Sequence, residues 1–432
     1  MSSADRRDTI YALSSGSPPA AIAIIRLSGP DAEGAAAALC GTLPQERRAG
    51  LRTLRDPLTG EALDEALVLR FAAVRSVTGE PLVELHCHGG RAVVTAVQDA
   101  LGRLPGLRAA EAGEFTRQAL ENGRMDLNAV EGLSDLLHAE TEAQRRAAMA
   151  MYGGAFSARV EDFQRRTLSA AALVEAALDF ADEDDVDGDA LAQAKAGITT
   201  LLGEMQAELA APPVERLREG IRLVIAGPVN SGKSTLLNRL AGWEAAIVTD
   251  IEGTTRDRIE VPVAIGGTAY LLTDTAGFRE AGDAVERIGI ERAREAVAAA
   301  DLLLWLGAAE DSPRPDAIRV LSRIDRPDVS RDSIHDVALS VHSGEGMADL
   351  IALVGARATA LLPQDRSYLL SARQRSELGT AVAALESALA VRDPLLVAEH
   401  LRDALSAFDR LTGRASTEHM LDSLFGGFCI GK

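Results

Sequence analysis

The stretch "IRLVIAGPVNSGKSTLLNRLAG", Ile221–Gly242, decides the fold. Its apolar run "IRLVIA" reads as a buried strand, and "STLLNRL" opens a helix. Between them Gly227, Gly232, Lys233 and Ser234 satisfy G-x-x-x-x-G-K-[ST], in the strand-loop-helix setting that gives this pattern its meaning. The glycines let backbone N–H groups curl around a β-phosphate, and the helix amino terminus adds positive potential. Lys233 reaches the β- and γ-phosphates, and the Ser234 hydroxyl binds Mg²⁺. Nucleotide contacts are therefore expected from Asn230, Ser231, Gly232, Lys233, Ser234 and Thr235.

Working outward, "DTAG" (Asp274, Thr275, Ala276 and Gly277) follows the apolar strand "AYLLT", and "EGTTRD" lies between the two motifs. The first supplies a carboxylate for the Mg²⁺ shell and a backbone N–H for the γ-phosphate. The second supplies a threonine that completes the metal shell when a triphosphate is present. This order matches Ras-like GTPases, in which N-K-x-D after the next strand selects guanine. Here "IRVLSRIDRPD" puts Ser322 and Arg323 at the Asn and Lys positions and keeps Asp325, so the expectation is GTP over ATP with weakened binding. "LSVHSGEG" resembles the last nucleotide loop. Phe278 follows DTAG where many such GTPases carry glutamine, and a phenyl ring cannot orient water. Glu280 and Glu286 are the nearest carboxylates, and spacing does not choose between them.

Across its 432 residues the chain is 47% hydrophobic but only 3% aromatic, with alanine and leucine prominent, which favours helix beside α/β structure. The fold class expected is multidomain α/β plus α. Short apolar runs alternating with helical stretches mark residues 1–121 as a small α/β domain, and three-to-four spacing marks 122–219 as helical. Residues 220–363 form the P-loop domain, inserted into a helical domain that resumes over 364–432. A net charge of −19 argues against a wide grip on a nucleic-acid backbone, so any RNA contact is local or shared with a partner. Three widely spaced cysteines favour a reduced compartment. No segment reads as a signal peptide or a membrane span, and the expected location is the cytoplasm.

Two stretches partly match metal-binding patterns. In "DEDDVDGDA" a calcium loop begun at Glu183 places Gly188 correctly but ends on Ala194 instead of a carboxylate, so a solvated turn is the better reading. "HCH" at His86–His88 puts both imidazoles on one face of a strand without a second ligand pair, which reads as structural or pocket-lining rather than zinc.

The segments "DTIYAL", "AIIRLSGP", "TGEPLVELHCHGG", "AGEFTRQALENGRMDL", "GAFSARV", "AIVTDIEGTTRD", "DTAGFREAGDAVERIGIERA" and "FCIGK" together resemble the MnmE (TrmE) family of tRNA-modification GTPases over nearly the whole chain. The resemblance implies a homodimer whose amino-terminal domains bind a tetrahydrofolate derivative, 5-formyl or 5,10-methylene. It implies GTP-driven chemistry at C5 of a tRNA wobble uridine, with an FAD-containing partner, MnmG (GidA). It also implies K⁺ in place of an arginine finger, held by Asn230, Thr249, Ile251 and Thr254, with Thr255 on Mg²⁺ and Glu286 orienting the attacking water. The folate positions are Arg26, Glu84, Arg124 and Lys432; the family often has Lys at the Arg124 position. Cys429, where a prenylation box would put its cysteine but with unsuitable residues after it, is then part of a tail folded toward the folate pocket. A GTP-dependent RNA or ribosome assembly factor is the alternative, which would need neither the folate-like segment nor this tail.

Overall fold

The structure is a computed structural model that describes residues 8–179, 187–211, 215–218, 220–242, 260–274, 291, 293–327, 329, 334–362, 368–415 and 418–431. The chain divides into two compact units, Met1–Ser134 with Phe408–Lys432, and Asp135–Ala407.

In the first unit β1 (Thr9–Leu13), β2 (Ile22–Ser28), β3 (Gly50–Arg55), β4 (Ala62–Phe71), β5 (Leu82–His88) and β6 (Leu107–Ala109) form one sheet in the order β3-β4-β5-β2-β1-β6. Neighbours are antiparallel except β1 and β6. The two-residue period of a strand sorts the side chains. Ala23, Ile25 and Leu27 of β2 and Val83, Leu85 and Cys87 of β5 are buried. Residues from the helices Ala32–Cys40 and Arg91–Gly102 join most of them in one cluster. Arg26, Glu84 and His86 are thereby left on the opposite face.

The carboxyl-terminal residues complete this unit. Phe425 and Phe428 close a cluster with Val130, Ile430 bridges Ala112, and Gly431 has φ +96°. A Cβ at Gly431 would stand 2.1 Å from the Leu13 carbonyl oxygen, so only glycine lets the tail lie against the end of β1.

The second unit contains a helical bundle and a second sheet. In the helix Ala155–Asp179 the buried positions are Phe156, Val160, Phe163, Thr167, Ala170, Val174 and Ala177. Their alternating four- and three-residue steps make the narrow seam of helix-on-helix packing. The helix Asp187–Leu209 packs on this one and also receives Ala372–Ala390, so helices from both sides of the P-loop segment share one bundle. Arg375 donates to the carbonyls of Leu209 and Ala211 at 2.7 and 2.8 Å, satisfying acceptors at a helix carboxyl end. Gly188 and Ala194 of the calcium-like stretch are helical; residues 180–186 lie outside the described residues.

The second sheet comprises β7 (Ile221–Ala226), β8 (Glu260–Ile265), β9 (Thr268–Asp274), β10 (Leu302–Trp305), β11 (Ile318–Leu321) and β12 (Val337–Ala338), in the order β12-β11-β10-β7-β9-β8. Only β8 runs antiparallel to its neighbour. The helices Lys233–Ala241 and Met347–Leu361 contribute Leu236, Leu240, Leu350 and Val354 to its core. This is the α/β architecture that delivers a phosphate-binding loop from the carboxyl end of a central strand.

A Gly431→Ala chain is expected to shed its tail contact while the sheet stays folded. Limited chymotrypsin digestion checks this: cleavage after Phe428 should accelerate at least several-fold, and an unchanged rate contradicts the docking geometry.

Candidate functional site

β7 ends at Ala226, and the phosphate loop leaves it through Gly227 at φ +153°, Asn230 at +60° and Gly232 at +99°. Asn230 is not glycine, and left-handed backbone there costs about 1 kcal/mol or more. Lys233 is buried, and its ammonium donates to the carbonyls of Gly227 at 3.0 Å and Pro228 at 2.7 Å, bracing the ends of the loop against each other. Parallel register sets Ile225 beside Asp274, and the Ser234 hydroxyl donates to Asp274 Oδ2 at 2.5 Å. A hydroxyl and a carboxylate converging beside a phosphate cradle are hard oxygen donors, and they fit Mg²⁺. The adjoining cavity, about 790 Å³, is lined by Asn230, Gly232, Lys233, Thr235 and Arg323 among others, a size suited to a nucleotide.

The loops after β11 and β12 carry the residues expected to meet the base. The Ser322 hydroxyl donates to the Ser231 carbonyl at 2.7 Å, a tie between base loop and phosphate loop that sequence reading did not assign. The Asp325 carboxyl is held below the usual carboxylate range, chiefly by a hydrogen bond from the Ser340 hydroxyl, with smaller help from His342 and Arg326. Ser340 is fully buried, so this donor is fixed. Its only sequence signal was membership in "LSVHSGEG".

On the other face of the first unit's sheet Arg26 and Glu84 are register partners, both partly buried. Arg26 Nε and Nη2 donate to Glu84 Oε1 at 3.2 and 2.9 Å, His86 Nε2 lies 3.2 Å from Oε2, and the guanidinium sits over the Phe115 ring at 5.7 Å. Glu84 retains lone pairs for further donors, so a fixed carboxylate edged by Arg26 fits the aminopyrimidine end of a folate. Arg124 is not in this cluster: it is exposed and packs by Gly79, beyond the Ser28–Leu82 end of the strand pair. The tail lies to the other side, at Leu13, whose register partner is Ile25. Cys429 is exposed there. In "HCH" His88 pairs with Asp64, which raises its pKa, while burial pushes the Cys87 thiol up to about 12. Among the described residues no group of three or more His, Cys, Asp or Glu is arranged for a metal. Thr249, Ile251, Thr254, Thr255, Thr275, Ala276, Gly277, Phe278, Glu280, Glu286 and Lys432 lie outside the described residues.

Family models match both parts of the chain: "GTP-binding protein TrmE N-terminus" over residues 9–124 and "MnmE helical domain" over 127–429. The chain is 56% identical over 437 aligned residues to a tRNA modification GTPase MnmE of Rhizorhabdus wittichii, covering 99% of this chain and 98% of that protein. The chain belongs to the MnmE family. An MnmE of Erythrobacter litoralis is 52% identical, over 98% of this chain and all of that protein, so the likeness includes the P-loop segment. The G domain of the T. maritima FeoB iron transporter aligns with 33% of this chain and 98% of that chain at 21% identity, but a TM-score of 0.23 gives that likeness no weight. Among the described residues no helix is long and apolar enough to cross a membrane.

The role expected of Asp325, accepting N–H groups from a guanine edge, would require it to be ionised. The Ser340 hydrogen bond keeps it ionised as pH falls toward about 4, where an ordinary aspartate protonates. In Ser340→Ala the loss of GDP affinity should therefore begin at higher pH than in the parent, as read by calorimetric titration between pH 7 and 4. Superimposable profiles would contradict the assigned cause.

Proposed function

We propose that this chain hydrolyses GTP in the modification of tRNA. The observation that carries the reading is the convergence of Lys233, Ser234 and Asp274 around one loop, with Asp325 held ionised on the base side. Lys233 and the loop N–H groups bind the phosphates, Asp325 accepts from guanine, and Ser234 with Asp274 and Thr255 would hold Mg²⁺. That ion, when bound, neutralises charge developing between the β- and γ-phosphates. Membership of the MnmE family supports the finer assignments. Asn230, Thr249, Ile251 and Thr254 hold K⁺ where other GTPases use an arginine finger, Glu286 orients water, and Thr275, Ala276 and Gly277 face the γ-phosphate.

The same reading gives the amino-terminal unit a tetrahydrofolate derivative carrying a one-carbon group. Glu84 takes hydrogen bonds from the aminopyrimidine, Arg26 fixes Glu84 and faces anionic or carbonyl groups, and Arg124 and Lys432 bind toward the ends of the ligand. The chain acts as a homodimer with the FAD-containing MnmG, in the cytoplasm, and installs an aminomethyl or carboxymethylaminomethyl group at C5 of the wobble uridine. A net charge of −19 supports sharing the tRNA with a partner over clamping it alone.

The test is steady-state GTP hydrolysis in K⁺ and in Na⁺ at equal ionic strength. Strong activation by K⁺ alone is expected, and equal rates would remove the K⁺ assignment. Glu286→Ala should lose about a hundredfold or more in turnover with nucleotide affinity kept; unchanged turnover refutes its role.

A further inference from the structure

We propose that the acidic cavity between the helices Glu114–Glu121 and Glu418–Gly426 binds a small aliphatic polyamine, which pins the second helix, and the tail that follows it, against the amino-terminal fold. This site is independent of the nucleotide and folate readings above.

The cavity measures about 580 Å³, within the size range of small-molecule sites. Both helices belong to the first unit, and they already touch beside it. Arg117 Nη1 donates to Asp422 Oδ1 at 2.9 Å, and a Cβ on Gly113, the cap of the first helix, would stand 2.7 Å from the Phe425 carbonyl oxygen. A ligand lodged here would therefore touch both partners of an existing contact.

The charge of its wall is one-sided. Five carboxylates, Asp8, Glu111, Glu114, Glu121 and Asp422, line the cavity with two guanidiniums. Both guanidiniums are engaged, Arg108 by Asp8 and Glu114, and Arg117 by Glu121 and Asp422. The Glu111 backbone N–H donates to Glu114 Oε2 at 2.8 Å, which fixes that residue on the wall, while its own carboxylate has no partner among the described residues. A cation is the ligand that such a wall favours.

A second acceptor points to a ligand independently of charge. Gln118 is 9% exposed, lines the same cavity, and its Oε1 has no hydrogen-bond partner. A buried acceptor without a donor is costly, so the cavity gains from a cation that brings N–H groups. The layout of the wall then sets its shape. Among the described residues no group of three or more His, Cys, Asp or Glu is arranged for a metal, so the carboxylates do not close on a point charge. They are spread instead from Asp8, just before β1, to Asp422 on the last helix, with Ala112 and Phe425 giving apolar surface among them. Ammonium groups spaced along methylene chains match that alternation, the stems lying on the apolar patches and the heads on the acids. Because it touches both helices, such a molecule stabilises their docked state by mass action.

The experiment is calorimetric titration of the full chain with spermidine at fixed ionic strength. Saturable binding at one site is expected. Glu111→Gln should weaken it roughly tenfold or more, the worth of one hydrogen bond to a charged group. Gln118→Met should weaken it by a smaller factor, yet leave the unliganded chain at least as heat-stable as the parent, since it removes an unpaired acceptor. Glu161→Gln takes the same charge from an exposed position on the helix Ala155–Asp179, and it should leave binding within about twofold of the parent. Spermidine should also slow chymotrypsin cleavage after Phe428 in the parent and not in Glu111→Gln. Equal losses in Glu111→Gln and Glu161→Gln would mean attraction to the net charge of −19 and no site, and the proposal falls. It falls equally if binding does not saturate, and unchanged cleavage at saturating spermidine overturns the pinning of the tail. Glu111 is exposed and outside any helix, so its variant decides the matter even where Gln118→Met fails to fold.

Discussion

A loop that turns its N–H groups inward toward a phosphate gives up the backbone ladder that would otherwise hold its shape, so it must be braced from outside. That constraint organises the P-loop unit. Gly227, Asn230 and Gly232 take positive φ, and three carbonyls on the outside of the loop are claimed by side chains: Gly227 and Pro228 by Lys233, and Ser231 by Ser322. The central place of β7, flanked by β9 and β10, is what brings Asp274 within reach of Ser234. The cradle is therefore held by the sheet and by the loops that follow its strands.

The same logic of register governs the amino-terminal sheet. Arg26 and Glu84 meet because they are opposed across β2 and β5, and both face outward because alternate residues fill the core. A one-residue slip of β5 would bury Glu84 and expose Cys87. The hydrophobic core under the sheet and the charged pair above it are thus two results of one pairing.

The strand, loop and helix around Ile221–Gly242 were legible because their signal is local: apolar run, glycines and helix formers follow one another without a gap. So was the helical character of both segments flanking the P-loop domain; the direct hydrogen bond from Ser234 to Asp274 was not, since the sequence offers each only as a ligand of Mg²⁺. The Ser322–Ser231 bond was not legible. It depends on how β11 and β7 are stacked through β10, and serine in place of asparagine reads as a loss until the loops are seen side by side. Arg124 shows the opposite limit. The family resemblance groups it with Arg26 and Glu84, yet the turn at Gly79 sets it beyond the end of their strands, a separation that no spacing along the chain conveys.

The bundle that joins helices from both sides of the P-loop domain also sets an order of assembly. The helix ending at Leu209 waits for the one beginning at Ala372, and a ribosome needs on the order of ten seconds to make the chain between them. Phe425 and Phe428, which complete the amino-terminal unit around Val130, are made later still. The core under the first sheet is built from early residues alone, whereas the bundle and the small cluster around Val130 wait for residues made after the P-loop domain. The growing chain therefore carries these open apolar seams for as long as the helices beyond the P-loop domain are unmade, and that interval is its exposure to chaperones and to aggregation.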